Sequence, residues 1–260
     1  MDLRKAKKAF KEYISEYDIS NEKIKLKVVH TYGVVEAAEF ICRNEKLSEE
    51  DTELAILIAL LHDIGRFEQL KKFNSFDDKK FDHALFGVKV LFEDNLIRKF
   101  IDGDKYDTII RKAIENHSRF KVPDGNTERE TLHINIIRDA DKLDNFRVKK
   151  YEKIETLFDI SEEELGQQEI SEKIMNCIKN HDLIFHDDRK TCMDMWVSYL
   201  AFIFDLNFKS SYMFVKNNDY INSNIDKVKY TNIKTKISME EIRKNMLAYI
   251  DDNLKSERKY

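Results

Sequence analysis

Eight consecutive apolar residues, Leu54 to Leu61, run straight into His62, Asp63, Ile64, Gly65 and Arg66. An apolar stretch with no polar interruption predicts a helix buried on most of its sides. Ser48, three residues ahead of Asp51, supplies a carboxylate version of the capping box at its start, and Gly65 suits a left-handed residue at its end. The helix expected over 51–64 therefore carries a histidine and an aspartate in its last turn, inside the core. A carboxylate buried there without a partner is costly, and a metal ion would satisfy both side chains. The rest of the chain is then read by asking which other donors can reach that ion.

The remainder of the sequence also reads as helix. One proline and six glycines in 260 residues leave few turn formers for an all-β fold, and Lys, Glu, Leu and Ile dominate instead. A net charge of −4, from 45 basic and 49 acidic residues, gives no general attraction to nucleic acid. The apolar segments are too short or too charged to span a bilayer, and Met1 to Lys8 leads into no signal-peptide core, so no membrane association is expected. Cys42, Cys177 and Cys192 have no paired spacing. They predict reduced thiols, no disulfide framework, no thiolate zinc site and a cytoplasmic protein.

Apolar spacing predicts helices over 2–17, 22–42, 82–94, 105–118 and 132–145. Val122 to Asn126 is the clearest loop signal. Lys71 to Lys80 mixes phenylalanines with Asp77, Asp78, Lys79 and Lys80, and reads as an exposed loop or short helix beside the site, able to act as a lid. Further helices are expected at 170–180 and 190–206, with a capping box at Ser161 to Glu164 and a polar stretch over 216–236. A last helix is expected to start at the capping box Ser238 to Glu241 and to bury Ile242, Met246 and Ile250. Strand patterns are essentially absent. The expectation is an all-α bundle, with a metal-binding helical core over 1–150 and accessory C-terminal helices over 151–260 packed on it as one compact domain.

The candidate donors are His30, His62, Asp63, His83, His117 and Asp141, each on a predicted helix or at its end. Imidazole nitrogens and carboxylate oxygens without sulfur suit a divalent transition ion such as Mn, Fe, Co, Ni or Zn. His30, His62, Asp63 and Asp141 make one site with positions left open for water or substrate. His83 and His117 could hold a second ion, with Asp63 bridging the two. Gly33, Gly65 and Gly87 lie within four residues of His30, Asp63 and His83. Glycine inside a helix costs about 1 kcal/mol relative to alanine, and close helix packing around an ion would be a reason to keep it. His133 is more simply a structural histidine. His181-Asp182 and His186-Asp187 repeat the dipeptide but follow no apolar run, so they read as surface.

The order His…His-Asp…His…His…Asp resembles the HD superfamily of metal-dependent phosphohydrolases. Leu60-Leu61-His62-Asp63-Ile64-Gly65-Arg66 looks like its central motif, and Asp139-Ala140-Asp141-Lys142-Leu143-Asp144 like its closing aspartate motif. The resemblance covers roughly residues 26–146. It implies that His30, His62, Asp63 and Asp141 hold a first metal, and that His83 and His117 are the extra histidines of the binuclear branch, which includes cyclic-dinucleotide and other phosphodiesterases. Two departures argue against cyclic dinucleotides as substrates. Arg66 stands where those enzymes carry a lysine, and with Pro123 as its single proline the chain lacks their Gly-Tyr-Pro motif. The Glu-Asp motif of the (p)ppGpp hydrolases is not in its expected place either.

The function that follows is hydrolysis of a small-molecule phosphate mono- or diester, a nucleotide foremost, by one or two divalent ions. Asp63 and Arg66 are the catalytic candidates, Arg66 and Lys142 the substrate-phosphate binders. An oligomer is allowed. Three rival readings remain open: a di-iron oxygenase like the inositol oxygenases on the same fold, a non-catalytic module that binds metal and nucleotide, and a metal-free helical scaffold. Oxygen dependence, nucleotide binding without turnover, and elemental analysis discriminate them in that order.

Overall fold

The computed structural model describes residues 1–76 and 81–256. Every regular element among them is helical, as the scarcity of turn formers predicts. They form two compact units, Met1–Asp141 and Lys142–Tyr260.

In the first unit, helix α1 (Leu3–Ile14) is capped by the Asp2 carboxylate, and α2 (Glu22–Asn44) by the Asn21 side chain. The apolar run becomes α3 (Glu49–Leu61), capped at Ser48, whose Oγ accepts from the Asp51 amide at 3.1 Å. All eight residues from Leu54 to Leu61 are buried.

The expected end of this helix needs correction. α3 stops at Leu61, His62 caps it, and Asp63 breaks the chain direction at φ −104° and ψ 19° before α4 (Ile64–Phe73) begins. Gly65 lies inside α4 and is not a left-handed cap. Its role is closeness: an added Cβ would sit 2.3 Å from the His83 carbonyl oxygen. That contact brings α5 (His83–Val88) against α4, with Asp82 capping α5. A π-helical turn, Lys89–Glu93, continues α5, and α6 (Asp107–Asn116) follows. Phe10, Tyr13 and Tyr17 pack around Phe67, and the Tyr13 hydroxyl donates to the Ile64 carbonyl at 3.1 Å. These contacts fix α1 to the start of α4, one residue past Asp63. Of the stretch expected to act as a lid, Asp77, Asp78, Lys79 and Lys80 lie outside the described residues.

Helix α7 (Glu128–Tyr151) closes the first unit at Asp141 and opens the second at Lys142. It starts four residues earlier than apolar spacing predicts, because Thr127 and Glu130 form a reciprocal capping pair. The second unit continues through α8 (Ile154–Phe158), α9 (Glu162–Gln167), α10 (Glu172–Asn180) and α11 (Cys192–Leu200). It ends with α12 (Lys209–Asn217), α13 (Tyr220–Asp226) and α14 (Ile233–Lys255). The capping box at Ser161 and Glu164 forms as expected. Two expectations fail in this unit. The polar stretch contains α13, whose Tyr220, Ile221 and Ile225 are buried. The last helix begins at Ile233, capped by Asn232, so Ser238 lies within it. Ile242, Met246 and Ile250 are buried, as expected.

Candidate metal centre

Asp63 is the hub. The break between α3 and α4 lets its carboxylate turn inward, where it is 3 % exposed. Its two oxygens face two sets of donors. Oδ2 lies 3.5 Å from His62 Nε2 and 3.8 Å from His30 Nε2. Oδ1 lies 3.4 Å from His83 Nε2 and 3.7 Å from His117 Nε2. Asp141 Oδ1, from α7, is 3.1 Å from His30 Nε2. The ligand atoms of His30, His62 and Asp141 all lie within 4.8 Å of one another, as do those of His62, Asp63 and His117. Five stretches of chain, separated by up to 111 residues between His30 and Asp141, thus meet at one point.

The tautomers favour a cation. His62 Nδ1 donates to the Ala59 carbonyl at 2.7 Å, and His117 Nδ1 donates to the Ile114 carbonyl at the same distance. Each ring therefore turns an Nε2 lone pair into the cluster. His62 Nε2 is buried with no hydrogen-bond partner, which is costly for a protein group and natural for a ligand. His83 Nε2 and His117 Nε2 approach to 3.1 Å. Convergent imidazole lone pairs and carboxylate oxygens without sulfur fit a divalent transition ion.

The electrostatics keep the carboxylates ionised. Burial pushes the Asp63 carboxyl upward, but the Lys27 ammonium and His62 outweigh it and hold the group well below the usual carboxylate range. Asp141 is also held below the usual carboxylate range: burial raises it, and the hydrogen bond with His30 outweighs that. Both are acceptor-only groups, as metal ligation requires.

All six candidate donors, His30, His62, Asp63, His83, His117 and Asp141, are brought together in the first unit. Arg66 is beside them, its Nε 3.8 Å from Asp63 Oδ1. It donates to Gln69 Oε1 at 2.6 Å, to the Phe76 carbonyl at 3.2 Å and to His83 Nε2 at 3.0 Å. Lys142 belongs to the second unit, where its ammonium pairs with Asp205 at 2.8 Å. His133 stays out of the cluster and meets Asp51 at 3.2 Å. His181-Asp182 and His186-Asp187 are exposed.

Sequence reasoning missed Lys27. Its ammonium donates to Asp63 Oδ2 at 2.6 Å. Lys27 precedes His30 by three residues, which places both on one face of α2, but that spacing alone does not tell it from a solvated lysine.

Residues 28–145, somewhat less than half of the chain, match the family model of the HD domain. No curated protein and no solved structure matches the chain. Among the described residues, no helix is long and apolar enough to cross a membrane.

Proposed function

We propose that the chain, whose residues 28–145 match the family model of the HD domain, is a metal-dependent phosphohydrolase that cleaves a small-molecule phosphate mono- or diester, with nucleotides the first class to test. The observation that carries the reading is the way the four Nε2 atoms of His30, His62, His83 and His117 distribute over the two oxygens of Asp63. That arrangement suits a bridging carboxylate better than a structural ion pair.

His30, His62, Asp63 and Asp141 would hold one divalent ion, and His83 and His117 a second, sharing Asp63. Such ions supply Lewis-acid polarisation of a phosphoryl oxygen and ease deprotonation of water near neutral pH. The chain's own part is positioning and charge. Asp63, pinned by the break between α3 and α4, sets the direction in which donors and reacting groups face one another. Arg66, fixed by Gln69 and the Phe76 carbonyl, places a permanent positive charge where a phosphate would enter. His30, His62, Asp63, His83 and His117 are all buried, which strengthens each of these interactions.

The test is a metal assay followed by a phosphate-release screen over nucleotides, cyclic nucleotides and phosphodiester model compounds, with and without chelator. Turnover should require bound transition metal, and Asp63→Ala should abolish it. Hydrolysis by metal-free protein, or metal-replete protein inactive on every phosphate ester, would remove the assignment.

A further inference from the structure

Two cations flank the Asp63 carboxylate, and they are held very differently. Arg66 is engaged on three sides, by Gln69, the Phe76 carbonyl and His83. Lys27 reaches Asp63 from α2. Among the described residues its ammonium makes one hydrogen bond, to Asp63 Oδ2 at 2.6 Å, and lies 5.6 Å from the centre of the Phe76 ring. The side chain is 15 % exposed. An ammonium carries three donors, and two remain for a further acceptor.

Charge counting shows what that acceptor is. With neutral imidazoles, the carboxylates of Asp63 and Asp141 are balanced by Lys27 and Arg66. Each divalent ion held by the donors then leaves the centre positive. A lysine against a ligand carboxylate weakens the hold on such an ion by repulsion, so it is a poor device for building a metal site alone. It suits a centre that takes up an anion together with the metal.

We propose that Lys27 is a phosphate-binding residue of this centre, donating to a non-bridging phosphate oxygen while it holds Asp63 in place. The proposal rests on the phosphohydrolase reading and adds a binding residue to it. A lysine binds phosphate as a compact point charge, and its position one helical turn before His30 keeps that charge at a fixed distance from the ligands. The competing view is that Lys27 only neutralises Asp63.

The experiment loads the full chain with Mn²⁺ and titrates inorganic phosphate calorimetrically, with metal content measured on the same samples. Lys27→Gln should keep its metal content at or above that of the wild type and raise the phosphate Kd by at least about tenfold, the loss typical of a charged hydrogen bond. Lys27→Arg should stay close to the wild type, and Lys27→Met repeats the comparison if the glutamine variant folds poorly. Wild-type phosphate affinity in Lys27→Gln would overturn the proposal, and so would a loss of affinity that merely tracks lost metal. If the Mn²⁺-loaded wild type binds no phosphate and turns over no phosphate ester, the phosphohydrolase reading itself falls and the role of Lys27 with it.

Discussion

A methyl group placed on Gly65 comes within 2.3 Å of the His83 carbonyl oxygen and 2.7 Å of the Gly87 nitrogen. Ordinary contact begins near 3.4 Å, so α5 has to withdraw from α4 by about 1 Å. Both obstacles are backbone, and no rotamer change relieves them. Overpacking of this kind costs about 1–3 kcal/mol. For a chain of this size each kcal/mol lowers Tm by roughly 2–4 °C, so Gly65→Ala should melt about 2–12 °C below the wild type. The same movement carries His83 with it. Its Nε2 now lies 3.4 Å from Asp63 Oδ1 and 3.1 Å from His117 Nε2, and ligand sites tolerate about 0.5 Å of misplacement. The variant should therefore bind less metal, read by elemental analysis after equilibration with excess ion. Gly166→Ala is the control, because its Cβ would meet the Lys229 carbonyl oxygen at 2.2 Å within the second unit. It should lose comparable stability and keep its metal. Equal metal loss in both variants, or an unchanged Tm and metal content in Gly65→Ala, would refute the reasoning.

His83→Ala and His117→Ala should each reduce bound metal by about half and leave the fold intact by circular dichroism; one ion per chain in metal-replete wild type would count against a binuclear centre. Burial holds the His133 imidazole below its usual value of 6.5, with Asp51 offsetting this only in part. The unfolded chain therefore binds the extra proton first, so stability from this group is complete above about pH 6.5 and falls as the pH drops below it. Denaturant midpoints of His133→Gln measured between pH 5 and 8 should fall less steeply with acid than those of the wild type, and parallel curves would dismiss the effect. Burial pushes the Cys42 thiol up to about 12. Native protein at pH 8 should therefore leave Cys42 unmodified by a thiol reagent that labels it quickly in denaturant.

The candidate donors were legible because each is a chemically distinctive side chain at a helix end or beside an apolar run. The all-α class was legible because so few residues favour anything else. What was not legible depended on local competition. Gly65 read as a cap, since a glycine after a helix usually is one, but α4 begins at once and the space beside α5 is what requires it. Helix α13 hid in a polar stretch because it buries a few residues, Tyr220, Ile221 and Ile225, among many asparagines. The start of α7 was written in Thr127 and Glu130, and that of α14 in Asn232, yet both signals stand ahead of the apolar spacing used to find the helices. Lys27 was overlooked for a different reason. A lysine on an amphipathic helix is normally solvated, and only the fold shows that this one meets the carboxylate of Asp63.

The centre also explains why so short a motif suffices to encode it. His62 and His117 occupy the same position on unrelated helices, the first residue after α3 and the first after α6. In both, Nδ1 is held by the carbonyl three residues earlier at 2.7 Å. The last carbonyls of a helix lack intrahelical partners and carry the negative end of its dipole. One arrangement thus fixes the tautomer, aims the lone pair and puts negative potential, worth about 0.3–1 kcal/mol for each helix, where a bound cation would sit. Arg138 secures the second case by donating to the carbonyls of Asn116 at 3.1 Å and Arg119 at 2.5 Å. Arg138 lies three residues before Asp141 on α7, so the helix that supplies the last carboxylate also holds the end of the helix that presents His117. His83 is the exception. It opens α5 at the opposite helix end, and its Nε2 accepts from Arg66 at 3.0 Å. Because the groups that orient His62 and His117 are main-chain atoms, they leave no mark in the sequence beyond the histidines themselves.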